Sequence, residues 1–254
     1  MQDIQYDLLK VRVYSDRNAL GAAAAEFAAA TIRSACAERG TARVVFACAP
    51  SQNEFLAALV RMPVDWSLVT IFHMDEYEGL TASHPQSFRS YLSEHLLAKI
   101  GPARDVHLIG AEGDRSRECE RYEALLAEAP IDLVCLGIGE NGHLAFNDPP
   151  VADFHDPKLV KVVELDPACR RQQVNDGCFA TLGEVPTRAL TLTIPALLGA
   201  RAVCGVVPGE RKADAVRATL LGPVSTECPA SILRTHPQAV LHLDSQSASL
   251  LRPL

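Results

Sequence analysis

Short apolar runs recur along the chain, separated by polar turn-forming stretches or by longer segments of helical periodicity. RVVFACA (43–49), WSLVTIF (66–72), DVHLI (105–109), IDLVCL (131–136), KLVKVVEL (158–165), ALTLTI (189–194), AVCGVV (202–207) and AVLHL (239–243) predict strands. Between most of them the spacing predicts helices. One begins at Ser15 or Asp16, either of which can cap it, carries Leu20, Ala24, Phe27 and Thr31 on one face, and ends at Gly40. Another spans 85–98, with Pro85 in its first turn and Phe88, Tyr91, Leu92 and Leu96 on one side; a third runs from Asp114 to a stop before Pro130. This alternation predicts an α/β fold with a mostly parallel, doubly wound sheet. The loops at 73–84 and 137–150 then meet at one sheet edge, where open α/β sheets bind ligands.

Composition narrows the picture. A chain of 254 residues with 48% hydrophobic content can bury a large core, and without a Gly/Ser-rich or Pro-rich linker a single domain over 1–254 is expected. A net charge of -7 without a basic stripe interleaved with aromatics argues against nucleic acid as a partner, though not against a small anion. The N-terminus lacks a basic stretch followed by an apolar core, and no run reaches the ~20 apolar residues that span a bilayer. No membrane partner and a cytoplasmic location are expected. Cys36, Cys48, Cys119, Cys135, Cys169, Cys178, Cys204 and Cys228 form no C-x-x-C pair and read as reduced, mostly core thiols.

The stretch LGIGENGHLAFNDPP (136–150) carries more polarity than packing requires. Gly137, Gly139 and Gly142 match the G-x-G-x-x-G spacing of dinucleotide sites, and Asp166 after the next apolar run mimics the ribose-binding acid. Such a site needs a helix starting at its third glycine, and Asn147, Asp148, Pro149, Pro150 and Pro157 break that segment. We therefore reject a nicotinamide cofactor. The glycines instead suit close backbone approach to a ligand beside His143, which Asp148 can hold in one tautomer as a proton shuttle.

FHMDEYEGL (72–80) brings Asp75, Glu76 and Glu78 to the end of another strand. A metal held by His73, Asp75, His84 and His143 lacks any recognised ligand spacing, and no serine sits in a G-x-S-x-G elbow, so acid/base chemistry without metal or covalent intermediate fits best. For an anion, Ser51 and Asn53 stand where a strand meets a helix start, with ordinary capping as the competing reading. Arg170, after the 158–165 strand, and Lys212, opening the helix after AVCGVVPG, are candidate counter-charges.

Three stretches together resemble the glucosamine-6-phosphate deaminase family: FHMDEYEGL followed by HPQSFRSYL, then LGIGENGHLAFNDPP, then VPTRALTLTIPALLGAR running into PGERKADAV and GPVSTECPASILRTHP. The resemblance implies a single-domain, modified Rossmann-like α/β/α sandwich. It also implies a cofactor-free aldose–ketose isomerisation that turns glucosamine 6-phosphate and water into fructose 6-phosphate and ammonia. Asp75 matches the family's general base, acting through an enolamine, and His143 its ring-opening residue. Asp148 falls where the family has an acidic partner, a glutamate in some members. Asn141 stands where some members carry aspartate. Arg170, with Arg171 as its neighbouring substitute, and Lys212 match the phosphate-binding cations. Ser51 lies in a phosphate loop that reads P-S-Q-N here instead of P-T-G-G. The reading of the residues and the resemblance together assign Asp75, His143, Asp148 and Asn141 to catalysis, and Ser51, Asn53, Gly139, Gly142, Arg170 and Lys212 to substrate or phosphate binding. The partner expected is a small amino-sugar phosphate, with self-association into a homo-oligomer left open. The related 6-phosphogluconolactonases share the G-x-x-G-H turn but continue it with a Ser-Leu-Phe-Pro-like segment where this chain has A-F-N-D-P. A non-catalytic sugar-phosphate sensor is the third reading.

Overall fold

The computed structural model describes residues 2–251. In chain order the strands are β1 (Gln2–Tyr6), β2 (Leu9–Tyr14), β3 (Ala42–Phe46), β4 (Val69–His73), β5 (Asp75–Tyr77), β6 (Asp105–His107), β7 (Leu133–Leu136), β8 (Val160–Glu164), β9 (Arg188–Leu192), β10 (Ala202–Val207) and β11 (Ala239–Asp244). The helices are α1 (Arg17–Arg39), α2 (Asn53–Leu59), α3 (Phe88–His95), α4 (Arg115–Ala127), α5 (Pro167–Asn175), α6 (Ile194–Leu198) and α7 (Ala213–Leu221).

The main sheet has the order β1-β2-β11-β10-β7-β3-β4-β6 and is parallel throughout, except for the β1–β2 hairpin. From β3 the chain winds outward through β4 to β6, then returns to place β7 on the other side of β3. That reversal is the switch point at which such sheets open a crevice beyond their carboxyl ends. Strands β3, β4 and β7 are buried at every position, as continuous apolar runs covered on both faces should be.

Two strand expectations change. The runs at 158–165 and 189–194 form strands, but β8 and β9 join β5 in a separate antiparallel sheet of order β5-β9-β8. The reason is visible in β8, where Lys161 and Glu164 interrupt the apolar run and only part of the strand is buried. That is the mark of a strand with one wet face, not of a parallel strand buried on both. The N-terminal hairpin β1–β2 has no counterpart in the sequence reading; it turns at Asp7, whose φ of 51° is left-handed. One hydrophobic cluster nonetheless runs through both sheets, joining Val134, Leu136 and Leu241 of the first to Val160, Leu190 and Leu192 of the second.

Helix α1 starts and stops as its sequence predicts. Asp16 accepts from Ala19 N at 2.9 Å, and Gly40, at φ 77°, donates to Cys36 O at 2.8 Å. Its buried stripe is Leu20, Ala24, Ala25, Ala28, Ala29 and Ile32, while Phe27 and Thr31 are only half-buried. Among the described residues no helix is long and apolar enough to cross a membrane.

Candidate active site

The exits of β3, β4, β7 and β10 converge with one face of α5 on a partly open cavity. Asp75, His143, Ser51, Lys212, Gln172 and Gln173 are among its lining residues.

After β7 the chain makes a tight turn. Gly142, at φ 83°, donates to Gly139 O, and Gly139 donates to His143 O. Asn147 then ties this turn to the second sheet, its Nδ2 donating to Leu144 O at 2.9 Å and Leu192 O at 2.8 Å. No helix lies between β7 and β8, so the glycines do not present a helix N-terminus to a pyrophosphate. Gly137 and Gly139 line the cavity, and packing constrains two of the glycines as well. A Cβ on Gly139 would stand 2.2–2.3 Å from three atoms of the His143 ring, and one on Gly142 would stand 2.7 Å from Cys228 Sγ. Gly139 therefore shapes the seat of the histidine, and Gly142 lets the turn pack against Cys228.

The imidazole is held on one side only. His143 Nδ1 lies 2.7 Å from Asn141 Oδ1 and 2.9 Å from Asp148 Oδ1. Asn141 Nδ2 donates to Asp148 Oδ1 at 2.9 Å, and Asn141 Oδ1 also accepts from His143 N at 3.1 Å, which orients the amide. Both atoms facing Nδ1 are thus acceptors, so Nδ1 carries the proton and Nε2 is left as the base. Burial pushes the Asp148 carboxyl up, but the hydrogen bond and charge of His143, with Asn141, hold it below the usual carboxylate range. Asn141 takes part directly, as an acceptor beside the carboxylate. Cys169 Sγ lies within 4.8 Å of ligand atoms of His143 and Asp148, and burial keeps this thiol protonated.

Across the cavity Asp75 is buried, and among the described residues its carboxyl has no hydrogen-bond partner in the protein. Burial, then the neighbouring Glu76, raise its proton affinity well above the ordinary range. Because alternate residues of a strand face opposite ways, Glu76 points away from Asp75, into the body of the protein. There it accepts from Tyr77 N, Ser87 Oγ, Phe88 N, Arg89 N and Arg89 Nε, all at 2.6–3.1 Å. Sequence reasoning missed this role. The available signal is the S-F-R triplet at 87–89, a helix start whose free amides call for an acid.

His73 is also structural. Its Nε2 accepts from Ile109 N at 2.7 Å, and burial, then Arg89, lower its pKa to about 3. His84 Nδ1 accepts from Gln86 N. Neither belongs to the one ligand-capable trio found among the described residues, so the His73–Asp75–His84–His143 grouping is not assembled.

Of the anion-binding candidates, Ser51 and Lys212 line the cavity and Asn53 and Arg170 do not. Ser51 Oγ accepts from Gln52 Nε2 at 3.1 Å. Lys212 is buried in the turn before α7, without a hydrogen bond or ion pair from its ammonium among the described residues. Burial lowers its proton affinity, with Asp176 and Glu140 opposing. Asn53 instead accepts from Tyr91 OH at 2.7 Å through Oδ1. Arg170 donates to Leu182 O at 2.7 Å and Val185 O at 2.8 Å, bracing the loop before β9, and Arg171 is exposed outside the cavity wall. The cause is helical phase: α5, capped by Asp166, turns Cys169, Gln172, Gln173 and Asp176 inward, and residues 170 and 171 fall between those positions.

An alanine at Gly139 is expected to fold but to push the imidazole off its Asn141–Asp148 seat, since the added methyl meets the ring itself and not a flexible chain end. A fall in turnover of about 10²-fold, the scale of a misplaced catalytic group, checks this by steady-state kinetics with a melting curve as control.

The chain has relatives among known proteins. Residues 15–242 match the family described as glucosamine-6-phosphate isomerases/6-phosphogluconolactonase. A glucosamine-6-phosphate deaminase of Exiguobacterium sibiricum is 38% identical over 188 residues, covering 74% of this chain and 73% of that protein. A solved monomeric glucosamine-6-phosphate deaminase superposes with a TM-score of 0.86 at 29% identity, covering 94% of this chain and 99% of that one. The 6-phosphogluconolactonase of Trypanosoma brucei shares the fold at 18% identity, with a TM-score of 0.78 and coverage of 98% and 100%. The chain belongs to the glucosamine-6-phosphate isomerase/6-phosphogluconolactonase family.

Proposed function

We propose that this protein is a glucosamine-6-phosphate deaminase, converting glucosamine 6-phosphate and water to fructose 6-phosphate and ammonium. The observation that carries the reading is the buried Asp75 carboxyl, of raised proton affinity, facing the same cavity as a histidine whose only free ring nitrogen is Nε2. His143 takes the proton of the C1 hydroxyl and delivers it to the ring oxygen, opening the sugar. Asp75 then removes the C2 proton of the open aldose while the C2 ammonium gives a proton to the aldehyde oxygen, leaving a neutral enolamine, and Asp75 returns the abstracted proton to C1. The resulting C2 iminium adds water and expels ammonia, leaving the ketose. Asn141 and Asp148 stabilise the imidazolium that forms in the first step, and Lys212 with Ser51 meets the phosphate.

Each step needs a proton donor or acceptor and nothing more, and every group invoked lies on one chain. A lactonase does not need a carboxyl poised over C2, so Asp75 favours the deaminase over that alternative. The shared hydrophobic cluster supports a single domain, and eight free thiols suit a reducing, cytoplasmic setting.

The test is an enzyme-coupled assay for ammonia and fructose 6-phosphate on purified protein without added metal. Both products are expected in equal amounts. Hydrolysis of 6-phosphogluconolactone without ammonia release would replace this reading with the lactonase, and binding without either turnover would replace it with a sensor.

A further inference from the structure

We propose that Gln173 reads a hydroxyl on the sugar chain between the amine and the phosphate; this rests on the deaminase reading of the cavity. The polar wall supplied by α5 is otherwise committed. Gln172 Oε1 accepts from Glu140 N at 2.8 Å and its Nε2 approaches Asp176 Oδ2 at 3.3 Å, while Asp176 also accepts from Arg211 at 2.9 Å. Gln173 differs from both. It is only 8% exposed and lines the cavity, yet among the described residues its carboxamide has no hydrogen-bond partner within the protein.

Gln173 stands between this cavity and an adjoining cleft beside Gln86 and Tyr91. Buried amides are normally satisfied, so one without a protein partner at a cavity wall marks a place where something else completes it. Among the described residues, Asp75 and Lys212 also line the cavity without a protein partner, beside the free Nε2 of His143. A carboxyl, an ammonium and a carboxamide therefore face one space, and their chemistries divide the substrate. The carboxyl suits the acidic C–H beside the amine, and the ammonium suits the phosphate dianion. The carboxamide both donates and accepts, which matches a neutral hydroxyl and neither charged end. In the open chain the hydroxyls between those ends are on C3, C4 and C5, and the C5 oxygen is the one released from the ring. C3 and C4 remain.

The experiment is a cycle between protein and substrate. Q173L, close in size and apolar, is expected to raise KM for glucosamine 6-phosphate at least about 5-fold by leaving the hydroxyl unpaired. With the 3-deoxy or the 4-deoxy analogue, one of the two, the wild-type and Q173L values should converge to within about 2-fold, because the contact is already gone. Q173E, which keeps the length and the acceptor, runs the same cycle if Q173L melts early. An unchanged KM in Q173L overturns the inference. So does a loss that persists with both analogues, which would assign the amide to the phosphate. A wild-type chain releasing no ammonia fails at the prior step, taking the deaminase reading and this inference with it.

Discussion

Ammonia release from glucosamine 6-phosphate is expected to fall by roughly 10²–10⁴-fold when Asp75 is replaced by asparagine, the range a positioned general base contributes. Asparagine keeps the shape and removes the proton acceptor, so fructose 6-phosphate should still bind, and a titration of that product separates lost chemistry from lost binding. The base must be ionised to work. Burial and Glu76 hold the Asp75 proton to higher pH than usual, so the acid limb of the wild-type profile should lie above the ordinary carboxylate range. The same shift has a stability consequence of fixed sign. A carboxyl whose folded pKa is raised contributes stability below its unfolded pKa of about 3.9, and that contribution is lost as pH rises. D75N should therefore melt no lower than wild type at pH 4 and above it at pH 8, with the gap opening as pH increases. A variant that loses activity by unfolding at pH 8 would contradict both halves of this expectation, whereas a dead and more stable protein is what an unpaired catalytic carboxyl predicts.

What the sequence makes legible follows from how local each signal is. The turn at 136–150 is readable because its glycines, histidine, amides and prolines are contiguous, and the Nδ1 clamp of Asn141 and Asp148 needs only those residues. The function of the glycines is not readable there, because the imidazole over Gly139 and the Cys228 thiol beside Gly142 are facts of packing. Lys212 and Ser51 are legible as strand-exit residues. Arg170 misleads for a different reason. Cationic character alone does not state which way a side chain leaves its helix, and Asp166-Pro167 as cap and first residue set the phase that turns Gln172 and Gln173 inward. The placement of β8 and β9 rests on a subtler cue, the charges spaced along KLVKVVEL, and their antiparallel pairing with β5 is a long-range choice that no window of sequence contains. Without that pairing Asp75 is merely an acid after a strand; with it, Asp75 sits opposite Thr191 and is fixed at the cavity edge.

Glu76 to alanine is expected to be the most destabilising single change near the site. The carboxylate gathers four donor groups from the start of α3, among them the Arg89 guanidinium, which is itself buried and also donates to Glu112 at 2.8 Å and Leu80 O at 2.5 Å. Removing it strands buried amides and leaves the buried guanidinium only the partly exposed Glu112, and breaking such a pair from one side costs about 3–5 kcal/mol. At roughly 2–4 °C per kcal/mol for a chain of this size, the melting temperature should drop by about 6–20 °C. Glu78 is the internal control. It pairs with the partly exposed Arg115 and Arg188 on the outside of the same loop, so E78A should cost no more than about 1 kcal/mol. The isosteric E76Q separates framework from electrostatics. It keeps one acceptor oxygen for the helix start but withdraws the negative charge that helps hold the Asp75 proton, so in whatever fraction stays folded the acid limb of the activity profile should move to lower pH. A melting temperature within 2 °C of wild type for E76A would show that α3 and its loop are held by something other than this carboxylate. An unmoved acid limb in folded E76Q would leave burial alone responsible for the raised affinity of Asp75.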